Sequence, residues 1–227
     1  MKFETHCHTH ENDIVVNMNA DEIVEAYHNI GYEGIVITNH FFGLSLEWYK
    51  DVLDGKPHRD IIDYYLRGYR IAKEKGDELG MTVLMGIELR FDGTINDYLV
   101  HGLSEDFLYD SPLLNTLDLD SFLKIMPKDA LIYHAHPFRN SMTVTDPEKF
   151  FGIEVYNGGT SDKRNKMAEI WADEYSRHKI SGSDFHCIEH LGRGGIVFDE
   201  EIKTEDAFLD ALRNDRYSLI KDGVYET

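Results

Sequence analysis

The sequence predicts an α/β domain built on a mainly parallel sheet, and three observations predict it. Short apolar runs alternate with longer stretches of helical periodicity, the pattern of repeated strand–helix units. No internal repeat, low-complexity tract or Pro/Gly/Ser-rich linker divides the 227 residues, so 1–227 reads as one domain. Several of the apolar runs end on a histidine or a carboxylate, which places reactive groups at the carboxyl ends of strands.

The elements follow in order. Lys2 to His8 opens the chain as a strand of mixed polarity. Asn19 then caps a helix over about 20–30. Asp21 and Glu22 fill its first turn, Ile23, Ala26, Tyr27 and Ile30 form an apolar stripe, and Gly31 ends it. Ile35-Val36-Ile37 is a buried-strand run. A long helix covers about 59–79 and stops at Gly80. Val83-Leu84-Met85 is the next buried strand, and Asp97 to Leu103 a less apolar one. Residues 104–128 break the rhythm and read as a loop with a short helix. Leu131-Ile132-Tyr133 and Ile153-Glu154-Val155 resume the strands. A helix over about 161–177, a strand over 179–183 and a helix over about 205–213 complete the pattern.

Composition narrows the function. Forty-two acidic against 23 basic residues give a net charge of −19, a field that repels long nucleic acid and anionic membrane surfaces. A small phosphorylated substrate would need a locally positive pocket, which bound divalent cations can supply. A hydrophobic fraction of 42% is that of an ordinary globular protein, so disorder is not expected. No apolar run approaches the roughly 18 residues of a membrane span, and Met1-Lys2-Phe3-Glu4 does not open a signal peptide. With only Cys7 and Cys187, the expectation is a cytoplasmic protein with reduced thiols.

The placement of the 12 histidines carries the chemistry. His6 and His8 lie two apart in the first strand, so both imidazoles can face one ion. Thr38-Asn39-His40 follows Ile35-Val36-Ile37. Gly86-Ile87-Glu88 follows Val83-Leu84-Met85. His134-Ala135-His136-Pro137 follows Leu131-Ile132-Tyr133, and Ser181-Gly182-Ser183-Asp184-Phe185-His186 follows His178-Lys179-Ile180. Any one segment could be a capping or hydrogen-bonded residue; five with the same arrangement point to one site. Imidazole with carboxylate suits Zn, Mn or Fe. Structural zinc would instead call for close-spaced Cys and His, which the chain lacks.

This order of H-x-H, T-[DN]-H, G-I-E, H-P and G-S-D-x-H resembles the polymerase and histidinol phosphatase (PHP) domain family, over His6 to about Val197. The resemblance implies a distorted (β/α)7, TIM-like barrel with two or three divalent metal ions at the strands' carboxyl ends. It implies His6, His8, Glu88 and Asp184 around the first ion. Glu88, His101 and His136 would surround the second, and Asp13, His40 and His186 the third, with His10 competing for the Asp13 position. Asn39 replaces the family's common Asp and, unable to act as acid or base, is expected in a supporting hydrogen bond. His134 lies two before His136; if the strand stays regular it shares that face, as a supporting group or proton donor, or else it is a satisfied core histidine. Arg139 and Arg193 follow strand-end motifs and have the planar fork that suits phosphate.

The expected activity is hydrolysis of a small phosphomonoester, a nucleotide or metabolite phosphate, by a metal-bridging hydroxide, with Glu88, Asp184 and His186 as catalytic residues. Two alternatives keep the same site: an exonuclease-like phosphodiesterase on short oligonucleotides, and a non-catalytic metal-binding module. The amidohydrolase class shares H-x-H but usually carries a metal-bridging Lys, and no Lys stands at a matching strand end. Oligomeric state is not legible in the sequence.

Overall fold

The computed structural model describes residues 1–225. Its elements are β1 (Lys2–Cys7), α1 (Ala20–Asn29), β2 (Gly34–Ile37), β3 (His40–Phe41), α2 (Gly43–Glu47), α3 (Lys50–Leu53), α4 (His58–Leu79), β4 (Thr82–Leu89) and β5 (Tyr98–His101). There follow α5 (Glu105–Asp110), α6 (Leu119–Ile125), β6 (Leu131–His134), β7 (Gly152–Asn157), α7 (Asp162–Glu174), β8 (His178–Gly182), β9 (Gly194–Phe198), α8 (Glu205–Arg213) and β10 (Tyr217–Lys221).

The strands form one sheet in the order β10-β9-β1-β2-β4-β5-β6-β7-β8, with β3 beside the end of β4. The segment after β8 returns to β1. Phe185 N donates to His6 O, and His8 N donates to Phe185 O, each at 3.3 Å. Strands β1, β2 and β4 to β8 thereby wrap into a nearly closed barrel, as the family resemblance implies. The pairing is parallel except at β5, which runs antiparallel to both β4 and β6. The ribbon β9–β10 packs antiparallel on the outer side of β1.

Alternation of side chains divides the core. On β4, Met85, Ile87 and Leu89 pack outward under α4, α5 and α6 together with Phe41, Leu66, Leu108 and Phe122. Leu84 turns inward with Phe3, Val36, Leu99, Leu131, Tyr133 and Ile180, and Phe208, Leu209 and Leu212 of α8 plug this floor. Helix α1 lays Ile23, Val24 and Tyr27 on β2 and α4. Each such fully buried side chain contributes about 1.5–3 kcal/mol relative to exposure. Glu22 Oε2 accepts from the Asn19 amide at 2.9 Å, which fixes the start of α1. Gly80, in the left-handed conformation at φ 70°, ends α4.

Two expectations change. The strands β9 and β10 and the short helices α2 and α3 were not anticipated, because Gly194-Gly195 and single-turn helices leave little periodicity to read. Residues 104–128 carry two short helices, α5 and α6, whose apolar faces pack on the outside of the sheet. None of the helices is long and apolar enough to cross a membrane, among the described residues.

Candidate metal centre

His6 on β1 and His8 just after its end turn inward while Cys7 between them packs among the outer apolar residues, as strand alternation requires. Glu88 reaches them from the end of β4, and Asp184 from the turn after β8. His6 Nε2 lies 3.1 Å from His8 Nε2. Glu88 Oε2 is 3.4 and 3.2 Å from those two nitrogens, and Asp184 Oδ1 is 3.4 and 3.2 Å from them. Ligands about 2.0–2.1 Å from a tetrahedral ion stand about 3.3 Å from one another, so this spacing fits a divalent cation. Glu88 Oε2 is buried, and among the described residues it has no well-formed hydrogen bond despite the imidazoles around it. A buried carboxylate oxygen so placed among imidazoles fits a ligand of a divalent cation.

Two further groups adjoin the first. Glu88 Oε1 lies 2.8 Å from His136 Nε2, and Asp97 Oδ2 lies 3.9 Å from the same nitrogen. On the other side, His40 Nε2 is 2.9 Å from Glu88 Oε2, and His40 Nδ1 is 2.5 Å from Asp13 Oδ2. His186 Nε2 stands 3.7 Å from that Asp13 oxygen, and His8, His40 and His186 form a third group of convergent donors. Glu88 is therefore common to the first two groups, and its two oxygens face different neighbours. His136 (φ 25°) and Asp184 (φ 52°) are non-glycine residues in left-handed backbone. Such strain persists where the surroundings dictate it and is typical of functional sites.

Buried supports fix the donors. Glu154 Oε1 lies 2.8 Å from His6 Nδ1, while its Oε2 accepts from the His136 amide at 2.8 Å and from Asn157 Nδ2 at 3.0 Å. Glu154 thus directs His6 Nε2 into the cluster, the usual arrangement behind a metal-bound imidazole. Asn157 Nδ2 also reaches Asp184 Oδ2 at 3.3 Å. Glu4 Oε1 accepts from the amides of Thr5, His6 and Ser183, each at 2.9 Å, and ties β1 to the Asp184 turn. Asn39 takes the supporting place expected of it. Its Oδ1 accepts from the Thr9 amide at 2.8 Å, and its Nδ2 donates to Asn12 Oδ1 at 3.1 Å, which holds the loop carrying Asp13.

The electrostatics describe a site short of positive charge. Burial alone would raise the Glu88 carboxyl pKa, but His6 and His40 hold it well below the usual range. Burial is likewise outweighed at Asp184, by His6, His8 and His186. Burial lowers His40, yet Glu88 and Asp13 carry its pKa up to about 9. The carboxylates therefore keep protons on imidazoles where a cation would displace them.

The structure gathers His6, His8, Asp13, His40, Glu88, His136, Asp184 and His186, and corrects the rest of the expected set. His101 is not in the cluster. Because β5 runs antiparallel, its carboxyl end points to the barrel floor: His101 pairs with Gly86, below Glu88, and packs on Tyr133 and Phe208. Asp97, just ahead of β5, stands at the site instead. His10 bonds Val16 O at 2.8 Å, away from the cluster, so the loop offers Asp13. His134 faces outward among Tyr98, Phe150 and Trp171, since the strand ends before the left-handed His136 and the two do not share a face. Arg139 reaches the rim, 2.8 Å from Asp97 Oδ2 and 3.8 Å from Asp184 Oδ2. Arg193 turns aside to Gly158 O at 2.7 Å and Asp222 at 3.0 Å. Glu154, Glu4 and Arg90 were missed. The one available signal was Glu154, a lone charge inside an apolar strand run, which only a buried partner can sustain.

Comparison with known proteins agrees with this fold. Residues 162–217 match the family described as PHP-associated. The chain is similar in fold to a two-domain protein of Bacteroides vulgatus containing a predicted PHP-like metal-dependent phosphoesterase. The TM-score is 0.73 at 18% identity, over 99% of this chain and 66% of that one. It is also similar to PsfC of Pseudomonas syringae, with TM-score 0.62, 14% identity, and 92% and 87% coverage. An amidohydrolase of Chromobacterium violaceum gives TM-score 0.54 at 14% identity, with 93% and 97% coverage. In sequence, 78 residues are 35% identical to DNA polymerase III subunit epsilon of Rickettsia felis and 36% identical to that of Rickettsia prowazekii. This match involves 32% of the chain and spans only 34% of the length of those relatives. The barrel, the order of its donor-bearing segments and the PHP-associated segment over 162–217 are together similar to those of the PHP domain family.

Proposed function

We propose that the chain is a metal-dependent phosphoesterase acting on a small phosphomonoester. One observation carries this reading: four buried donors, His6, His8, Glu88 and Asp184, converge at 3.1–3.4 Å beside two further groups that share Glu88 or His8. His6, His8, Glu88 and Asp184 would hold one ion, Glu88, Asp97 and His136 a second, and Asp13, His40 and His186 a third. Bound Zn, Mn or Fe would supply Lewis acidity, lowering the pKa of water and neutralising charge on phosphoryl oxygens.

The residues supply orientation. Glu154 occupies one nitrogen of the His6 imidazole and directs the other inward. Asp184 divides its oxygens. Oδ1 faces His6 and His8, which keep the carboxylate ionised, while Oδ2 faces Asn157 and Arg139, which hold its orientation toward the ion it would bind. Arg139, partly exposed at the rim, offers its fork to a substrate phosphate.

The test is a panel of a nucleoside monophosphate, a sugar phosphate and a trinucleotide, after reconstitution with Mn, Zn or Fe. Turnover of a monoester is expected, with its loss in Glu88→Ala. A Glu88→Ala protein with normal metal content and unchanged hydrolysis would defeat the reading. Stoichiometric metal with no turnover of any ester would return the chain to a non-catalytic module. Phosphodiester hydrolysis on short oligonucleotides is the second reading. The local similarity to the Rickettsia polymerase subunit favours it, while the net charge of −19 opposes long nucleic acid.

A further inference from the structure

Asp97 is fully buried, yet both of its oxygens are already engaged by arginine. Arg90 Nε donates to Oδ1 at 2.6 Å, and Arg90 Nη2 donates to Oδ2 at 2.8 Å. Arg139 Nη2 donates to the same Oδ2 at 2.8 Å. An ion seated between Glu88 and His136 would therefore meet two guanidinium charges on the third ligand it needs. The His6–His8–Glu88–Asp184 group is different: Arg139 stands 3.8 Å from Asp184 Oδ2, beyond hydrogen-bond length.

The two arginines are not equivalent. Arg90 grips Asp97 with two parallel bonds, and its guanidinium carbon lies 4.7 Å from the centre of the Phe42 ring, which holds it from one side. Arg139 makes a single bond to Asp97 from the loop after β6, and its side chain is 34% exposed. It can leave Asp97 for an anion without uncovering a buried charge of its own.

We propose that Arg139 couples anion binding to cation binding at the Glu88–Asp97–His136 position. In the absence of anion, Arg139 shares Asp97 and weakens this site for metal. A phosphate draws Arg139 away and leaves Asp97 Oδ2 with Arg90 alone, so that its remaining lone pair can complete the site. By linkage, the cation tightens the phosphate by the same factor as the phosphate tightens the cation. The last ion is thus seated together with substrate. This inference rests on the phosphoesterase reading for the identity of the anion, but not for the competition between arginine and metal.

The experiment is a Mn²⁺ titration of the metal-stripped full chain, followed by the paramagnetic resonance of free Mn²⁺, with and without inorganic phosphate. The wild-type chain should hold its last ion weakly, and phosphate should tighten that ion about tenfold or more, the scale expected for one nearby charge in a partly exposed site. Phosphate can also touch a metal directly, so the decisive measurement is made without it. Arg139→Met should tighten the last ion about tenfold, whereas Arg139→Lys, which keeps the charge, should not. Arg90→Met is the second variant and should act in the same direction, with circular dichroism to verify folding. Looser binding of the last ion in folded Arg139→Met, or equal affinity for every ion in the wild type, would overturn the proposal. If the Mn²⁺ results hold and the ester panel is silent, the phosphoesterase reading fails and the competition stands. If esters are hydrolysed but Arg139→Met binds the last ion more loosely, the competition alone fails.

Discussion

At the scale of the residue, the sequence made most of the cluster legible because strand periodicity and strand-end placement are local properties. His6 and His8 share a face for the same reason in any strand, Glu88 follows an apolar run that can only be buried, and Asp184 stands in the G-S-D-x-H segment. His101 fails for a reason no local pattern contains, the direction of its strand. Its burial has a measurable consequence. Neither ring nitrogen has a hydrogen-bond partner among the described residues. Burial and the nearby charge of His6 lower its pKa to about 3. Between pH 6.5 and 3 the unfolded chain takes up a proton there that the folded chain refuses. The stability tied to neutral His101 is complete above pH 6.5 and is lost as pH falls through that window, by up to about 1.4 kcal/mol per pH unit. His101→Leu should flatten this acid limb and add about 1–2 kcal/mol at pH 7 by removing unsatisfied nitrogens. Urea unfolding at several pH values measures both. A variant that instead lost one equivalent of metal would restore His101 as a ligand.

At the scale of the element, the long helix α4 does more than cover the sheet. Gly68 lies where α4 meets the loop bearing Thr9, Asn12 and Asp13. A Cβ at that position would stand 2.3 Å from Thr9 Oγ1 and 2.6 Å from Asn12 Oδ1. In an unconstrained helix, Gly→Ala stabilises by about 1 kcal/mol. Here the side chains it strikes belong to the Asn39 network that holds Asp13 opposite His40. Gly68→Ala should therefore destabilise by about 1–3 kcal/mol, with a parallel loss of activity, while Gly76→Ala strikes Val83 and Met81 O below and serves as the comparison. Equal losses of stability with unequal losses of activity are expected, and unaltered activity in Gly68→Ala would deny the helix its positioning role. The helix was legible from its periodicity, but its contact with the site was not, since a glycine in a helix gives no sign of what lies against it.

At the scale of the whole molecule, the site joins segments from opposite ends of the chain. His6 comes from β1 and His8 from just after its end, Asp184 and His186 come from the turn after β8, and two backbone hydrogen bonds close the barrel beside them. Glu88, Asp97, Asp13 and Asp184 are buried carboxylates gathered at the same end of the barrel. Without cations, their charge is balanced by protonated imidazoles and arginines, in a molecule whose net charge is −19. Metal binding should therefore stabilise the closed barrel itself, because the ligands lie far apart in the unfolded chain and cannot bind there as a set. An ion present at about a hundred times its dissociation constant adds about 2.7 kcal/mol. For a chain of this size that raises the melting temperature by about 5–10 °C. Removal of metal by a chelator, followed by calorimetry, should reverse the gain, and Mn²⁺ or Zn²⁺ should restore it. The gain should shrink as pH falls, because His6 and His40 then keep their protons against the metal. A melting temperature indifferent to chelator at every pH would mean that the donors gathered at the seam close the barrel without holding any ion.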